Sequence, residues 1–518
     1  MRKRGFLLLV VLIVFAMMAP TACRTRNSNA FVIALGDNIR TIDPIGSPSV
    51  DAASERVRTL IFNTLVKKDE KFDYVGELAS DIKRSDDGLA YTFALRDGVK
   101  FHDGRVLSSA DVKYTLDLLF SSNFAKSASF FEGTGDEKRS YIKSVEAPDQ
   151  RTVIVTLTKP WVGLLSNLVP IPMLPKDSYE SQKTHPLGTG PFKFVNYDNT
   201  QQVCDVEAFP EYWDGPSKLQ KVRVRVIADM NALQAELQSG RVDIAPLPTS
   251  LSPDAVKRLE EDPNLRVQAF PGSNVVLLTL NTTSPPLDNV KVRQAIAYAI
   301  DRQSMIQNLL RGYGKIAHSI IPEESWAYSP GQMYAYDPAM AKRLLSEAGV
   351  RIDKPIVYKL SGSSISGRQY AGVIQNYLKE AGIPVEIQTP EQNTLFDELR
   401  RGNFQIAYTQ WVGGNQDPIF YKDLFATSEI PTQTRPSRNR SRYSNPELDA
   451  MLEVAVNTFD RAQAKDLYRK IQDVISRDVP VFPLWYQSNI VIARKNVGNI
   501  QVNASGDWGF VKNLTVTQ

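Results

Sequence analysis

Catalysis at a metal or by an activated nucleophile needs particular side chains at short, fixed spacings, and this chain offers few of them. Its three histidines, His102, His185 and His318, stand far apart. None forms the His-x-x-x-His pair that turns two imidazoles to one helix face for zinc. Gly362-Ser-Ser-Ile-Ser-Gly367 lacks the Gly-x-Ser-x-Gly spacing that exposes a serine nucleophile on a sharp turn. Gly188-Thr-Gly-Pro191 lacks the Lys-Ser/Thr that completes a phosphate loop, so it reads as a rigid turn. Carboxylates are plentiful and leave a paired set open, but nothing else points to catalysis, so an extracytoplasmic hydrolase is the least supported reading. No His-rich tract is present, and neither a metal nor a cofactor is expected. What remains is binding chemistry. Thr409-Gln-Trp-Val-Gly-Gly-Asn-Gln-Asp-Pro418 places an aromatic side chain, Trp411, before a glycine-rich turn and a carboxylate, Asp417. An indole offers a large apolar contact at the cost of few rotamers. Arg368, in Gly367-Arg-Gln-Tyr370, has the guanidinium that grips a carboxylate through two parallel hydrogen bonds. It reads equally as a surface residue at a helix start.

Strand and helix signals alternate along most of the chain and would position these groups. Tyr91–Leu95, Thr152–Leu157 and the strictly alternating Val222–Val226 read as strands. Ser108 and Asp111 form a capping box ahead of a helix over Val112–Phe120. Asp337-Pro338 opens a helix that Gly349 ends, and Asn445-Pro446 opens another. Val290–Ile300, Arg368–Ala381 and Asn393–Arg401 carry apolar residues at helical spacing. Interleaved strands and helices imply an α/β fold. Pro- and Gly-rich breaks fall at His185–Pro191 and Thr282–Pro286.

The first residues give an address. Arg2, Lys3 and Arg4 precede an apolar run from Phe6 to Met18, followed by Ala19-Pro20-Thr21-Ala22-Cys23. A basic start, a short apolar core and a small-residue exit make a secretory signal peptide over residues 1–22. As a helix the run spans about 20 Å, short of a hydrocarbon core of about 30 Å. The junction resembles the bacterial lipobox, with Pro20 where that pattern has an aliphatic residue. Lipidation of Cys23 would hold the protein at the outer face of a membrane, since two acyl chains grip stably where one is marginal. The alternative is ordinary cleavage, with Cys23 a bystander.

The 518 residues allow two or three domains, and the 42% apolar and 23% charged fractions are ordinary for a globular body. Of 61 basic residues three leave with the signal, so 58 face 57 acids and the mature net charge is +1. That argues against a nucleic-acid binder, which needs a basic face. The arginines between Arg435 and Arg442 read as a solvated loop. With Cys23 lipidated, Cys204 has no partner, and its alternating surroundings read as a buried structural thiol.

Several ordered motifs resemble one family. They are Asp86–Gly104 with Ser109-Ala-Asp-Val112, Pro186–Phe192, Tyr212-Trp-Asp-Gly215, Leu237–Asp243, Val292–Asp301 and Tyr443–Asp449. Over about Ile33 to Val497 the chain resembles the extracellular solute-binding proteins of family 5, the peptide and nickel class of ABC importer subunits. The resemblance implies a two-lobed, type II periplasmic-binding-protein-like clamp with a subdomain inserted in the first lobe. Lobe I would take residues 30–65, 185–281 and 487–518, the insert 66–184, and lobe II 282–486. Hinges would fall near Leu280–Thr283 and Leu484–Gln487.

The same resemblance marks a site. Dipeptide-binding members read Trp-x-Gly-Asp-Asn-x-Asp-Pro where this chain has Trp411, Gly413, Gly414, Asn415, Asp417 and Pro418. Their first Asp takes the peptide ammonium, and here Gly414 replaces it. An enclosed ammonium without a counter-charge is costly. Either Asp417 or another carboxylate substitutes, or the ligand has no free α-amine. Arg368 is similar in place to the arginine that holds a ligand carboxylate. Trp485 and Tyr486 adjoin the second hinge and would line the cleft or pack in the core. Asp43, in Thr41-Ile-Asp-Pro44, resembles a loop beside the cleft and could equally cap a turn. The implied partners are a permease pair with cytoplasmic ATPases, and a monomer is expected. A peptide-binding sensor or folding helper uses the same clamp, and only its partner would tell it apart.

Overall fold

The computed structural model describes residues 30–47, 51–133, 138–411, 417–433 and 437–517. Its first strand, Phe31–Leu35, is buried at every position, as a strand covered on both faces must be. It pairs in parallel with Lys221–Val226 and Ile244–Pro246. The sheet runs in the order Phe192–Asp198, Val203–Ala208, Lys221–Val226, Phe31–Leu35, Ile244–Pro246, Asn489–Arg494, Leu265–Phe270. Helices Ala52–Ile61, Met230–Gln238 and Pro253–Glu260 pack on it, each begun by an Asp or Ser side chain that accepts a first-turn backbone N–H. Cys204 is fully buried in this lobe, and burial pushes its thiol up to about 12, so it is an inert core residue.

A second sheet has the order Gly314–Ile316, Val481–Gln487, Val275–Leu280, Ile406–Trp411, Ile356–Lys359, Val385–Gln388. Among its pairs, those of Ile356–Lys359 with Val385–Gln388 and Ile406–Trp411 are parallel. Helices Val290–Ala299, Pro338–Ala348, Ile365–Glu380 and Arg461–Asp478 belong to this lobe. Pro338–Ala348 ends as its sequence dictates, with Gly349 left-handed at φ 62°. Ile365–Glu380 begins three residues before Arg368, because the Ser364 hydroxyl accepts from the Gly367 N–H at 3.2 Å. The insert is a four-stranded antiparallel sheet, Ala79–Arg84, Ala90–Leu95, Thr152–Leu157, Ile142–Glu146. Helix Ser109–Ser121 covers it, and the Asp111 carboxylate accepts from the Ser108 N–H at 2.8 Å.

One boundary differs from the expectation. Val275–Leu280, placed with lobe I from its sequence, is wholly buried between Ile406–Trp411 and Val481–Gln487, so it is the centre of the second sheet. The first crossover is therefore Pro271–Asn274, not Leu280–Thr283. The second is Ser488, between Gln487 and Asn489. The Thr282–Pro286 break only connects a strand to a helix within lobe II. No helix among the described residues is long and apolar enough to cross a membrane.

Candidate functional site

The crossovers and the carboxyl ends of the parallel strands of lobe II meet at one edge, where ligands of open α/β sheets bind. Trp411 is the last residue of its strand, and its cross-strand partner is Val275, the first residue after a crossover. The indole is half-buried, edge-to-face with Phe420 at 5.9 Å. The Arg438 guanidinium lies 6.0 Å from the Trp411 ring and 5.7 Å from Phe420, and it reaches Asp423 at 3.4 Å. Burial raises the Asp423 carboxyl and Arg438 opposes that rise. This arginine of the Arg435–Arg442 run is thus exposed, as a solvated loop requires, and lies near two aromatic rings. Arg440 likewise lies 5.2 Å from the Phe396 ring.

Asp417 is hydrogen-bonded inside the protein. One carboxylate oxygen accepts from the Ile419 N–H at 2.8 Å, in the turn that leads into the helix Phe420–Phe425. The other accepts from the Tyr74 hydroxyl of the insert. Burial first, then Asp417, raises the Tyr74 phenol well above its usual range. Each oxygen keeps a second lone pair, so these bonds orient the carboxylate without exhausting it. Gly413, Gly414 and Asn415 lie outside the described residues, as do residues 1–22 and Cys23.

Arg368 is exposed in the first turn of its helix, and its guanidinium donates to the Gly362 carbonyl. The loop that carries it leaves Ile356–Lys359 at the same sheet edge as Trp411, since those strands run parallel in register, Lys359 opposite Ala407. The structure brings these two expected residues to one edge.

Two others lie in the core of lobe II, and the third serves a turn. Trp485 is 0% exposed and packs edge-to-face on Tyr370 at 5.4 Å. Tyr486 is 4% exposed, and its hydroxyl donates to the carbonyls of Ser319 and Ile321 at 2.8 and 2.6 Å. Both are core residues, because a central strand buries both its faces. Asp43 closes a turn, accepting from the Ile45 and Gly46 N–H groups at 3.0 and 2.7 Å and from the Tyr179 hydroxyl at 3.0 Å. A lined void around Arg302, Ser319, Tyr421 and Gln472 lies inside lobe II, away from the crossovers. The Arg302 guanidinium there is held by the Ala317, Pro483 and Tyr334 carbonyls.

Sequence reasoning missed the face where the insert meets lobe II. Tyr74 and Lys68 of the insert oppose Asp417, Asp73 pairs with Arg461, and Arg461 lies 3.8 Å from the Trp326 ring. The Arg84 guanidinium stacks 3.9 Å from Phe459. The available signal was only a charged hairpin, Lys67-Lys-Asp-Glu-Lys71, which reads as solvent-facing.

Comparison with known proteins follows this geometry. Residues 73–432 match the model of the bacterial extracellular solute-binding proteins, family 5. The chain is 31% identical over 468 residues to the glutathione-binding protein GsiB of Pectobacterium atrosepticum, covering 87% of each chain. It is 29% identical over 498 residues to heme-binding protein A of Haemophilus influenzae, covering 90% of this chain and 88% of that one. The crystal structure of the ABC transporter substrate-binding protein CtaP from Listeria monocytogenes superposes with a TM-score of 0.83 at 25% identity, covering 94% of this chain and 99% of that one. Two lobes joined at paired crossovers, an inserted subdomain and a family match across most of the length agree: the chain belongs to the bacterial extracellular solute-binding proteins of family 5, substrate-binding proteins of ABC transport.

Proposed function

We propose that this protein captures a small peptide, or a similar polar solute bearing a carboxylate, between its two lobes and hands it to a permease pair driven by cytoplasmic ATPases. The observation that carries this reading is the position of Trp411, a half-buried aromatic at the crossovers, with the Arg368 loop leaving the same end of the sheet. The relatives named for glutathione and heme support the class, since both compounds carry carboxylates. Gly414, where dipeptide binders hold the ammonium with an Asp, argues for a ligand recognised without a free α-amine. The deciding experiment is native mass spectrometry of the mature protein purified from its own host. A copurified peptide or peptide-like acid is the expected result, and a neutral or cationic adduct overturns the class.

Anchoring belongs to the same proposal. A diacylated Cys23 would keep the protein beside its permease at the outer face of the membrane. The Cys23→Ser variant is then expected to move from the membrane fraction to the soluble extracytoplasmic fraction. Retention in the membrane fraction would exclude lipidation there.

A further inference from the structure

Lys68 ends the short strand Val66–Lys68 in the insert, directly opposite Tyr74. Its stem is half-exposed, yet its Nζ is sealed from solvent and makes no hydrogen bond. The faces of Phe72 and Tyr74 lie 5.6 and 5.4 Å away. Ring faces attract a cation but supply no lone pair to its N–H groups. The Asp417 carboxylate of the opposite lobe is near enough to attract Nζ. That carboxylate makes no hydrogen bond to Lys68; its two oxygens accept from the Ile419 N–H and the Tyr74 hydroxyl. The neighbouring charges do not help, because Asp73 is paired with Arg461.

An enclosed ammonium without an acceptor is expensive, and structures keep one where an acceptor is supplied from outside. Lys68 stands where the insert meets lobe II, so the missing acceptor fits a group that a captured solute supplies. We infer that Lys68 is a ligand-binding residue, taking a carboxylate of the captured solute as the lobes close and so selecting anionic solutes. This rests on the clamp reading and adds the insert as a recognition surface. It also accounts for a site whose ammonium partner is replaced by Gly414, since discrimination moves from the amine end of the ligand to its acid end.

The test uses three libraries of tri- and tetrapeptides of identical sequences: free at both ends, amidated at the C-terminus, and acetylated at the N-terminus. Each is presented to the mature protein and to Lys68→Met, Lys68→Arg and Trp411→Ala, and the retained peptides are counted by native mass spectrometry. A charged hydrogen bond in an enclosed site predicts that the wild type retains free over amidated peptides by at least about tenfold. Acetylation should change little. Lys68→Met should bring that ratio near one while amidated peptides still bind, and Lys68→Arg should preserve it. Trp411→Ala should weaken both sets alike. A Lys68→Met protein with the wild-type ratio overturns the assignment and leaves the peptide reading standing. Loss of all binding in Lys68→Met at an unchanged melting temperature assigns the lysine to closure alone and also overturns it. A wild type that retains none of the libraries overturns the peptide reading and this inference with it.

Discussion

The Trp411 indole is half-buried with one side against Phe420 and a guanidinium nearby. A ligand that covers its remaining face removes apolar area from water, and truncation removes that gain. Trp411→Ala is expected to weaken binding of the copurified solute by at least about 1 kcal/mol, measured by calorimetry. Unchanged affinity would take it out of the site. Lys68 gives a second expectation. Burial lowers its ammonium to about 8, with Asp417 opposing. The free protein therefore carries the charge below that pH and loses it above. Affinity for a carboxylate solute should be flat below pH 8 and fall by up to about tenfold per unit above it. The surrounding groups are Asp417, the Asp73–Arg461 pair, and Tyr74 and Tyr468, whose phenols are both raised well above their usual range and stay neutral there. A Lys68→Arg protein should bind independently of pH over the same window. A wild-type affinity that stays flat to pH 9.5 would contradict this.

At the scale of elements, the turn Pro186–Phe192 joins the insert to lobe I, and His102 pins it. Its Nδ1 accepts from the Gly188 N–H at 3.3 Å, and its Nε2 lies 3.0 Å from the Gly190 carbonyl, which sets the neutral tautomer with the proton on Nε2. The glycines are required by contact: a Cβ at Gly188 would lie 2.2 Å from the Ile61 carbonyl oxygen. Burial lowers the His102 imidazole from 6.5 to about 4, against the bond to Gly190. Because the folded value is the lower, folding favours the neutral form. Its contribution is complete above pH 6.5 and is lost as pH falls from 6.5 toward 4. Melting temperatures of wild type and His102→Gln should therefore differ most at neutral pH and converge toward pH 4. A gap that does not shrink would show that proton uptake at His102 does not feed the acid loss of stability.

At the scale of the molecule, two crossovers lie side by side. The Gln487 N–H donates to the Asn274 carbonyl at 2.9 Å, and Asn489 Nδ2 donates to Pro271 at 3.1 Å. A Cβ at Gly272 would lie 1.9 Å from the Gln487 carbonyl oxygen, so the hinge strands touch backbone to backbone. Away from that axis, the Tyr74 hydroxyl and Asp417 close the insert onto lobe II. A ligand shifts such an equilibrium only by binding the closed form better. Tyr74→Phe removes one bond of the closed form and should cost about 1 kcal/mol of closure, or roughly fivefold in affinity. Small-angle scattering should show the wild type contracting on addition of its solute, and Tyr74→Phe requiring more of it. Equal solute requirements would remove the bond from closure.

The family and most elements were legible in the chain because they rest on local rules. Asp337-Pro338 and Gly349 bound a helix whatever surrounds it, and the alternation of Val222–Val226 declares a strand with one buried face. The ordered turn motifs carried the resemblance, and Trp411 stood out by type and place. Pairing was not legible. Val275–Leu280 is a continuous apolar run that suits the centre of either sheet, and only its partners, Ile406–Trp411 and Val481–Gln487, put it in lobe II. The same burial took Trp485 and Tyr486 out of the cleft, since aromatics beside a hinge look alike in sequence whether they face solvent or core. Lys68 sits in a charged hairpin that reads as wet. Its Nζ is buried, and only the tertiary fold brings Asp417, 349 positions later, within reach of its charge. Local propensity and spacing determined what this protein is, while the enclosure of its charges was decided by contacts between segments far apart in the chain.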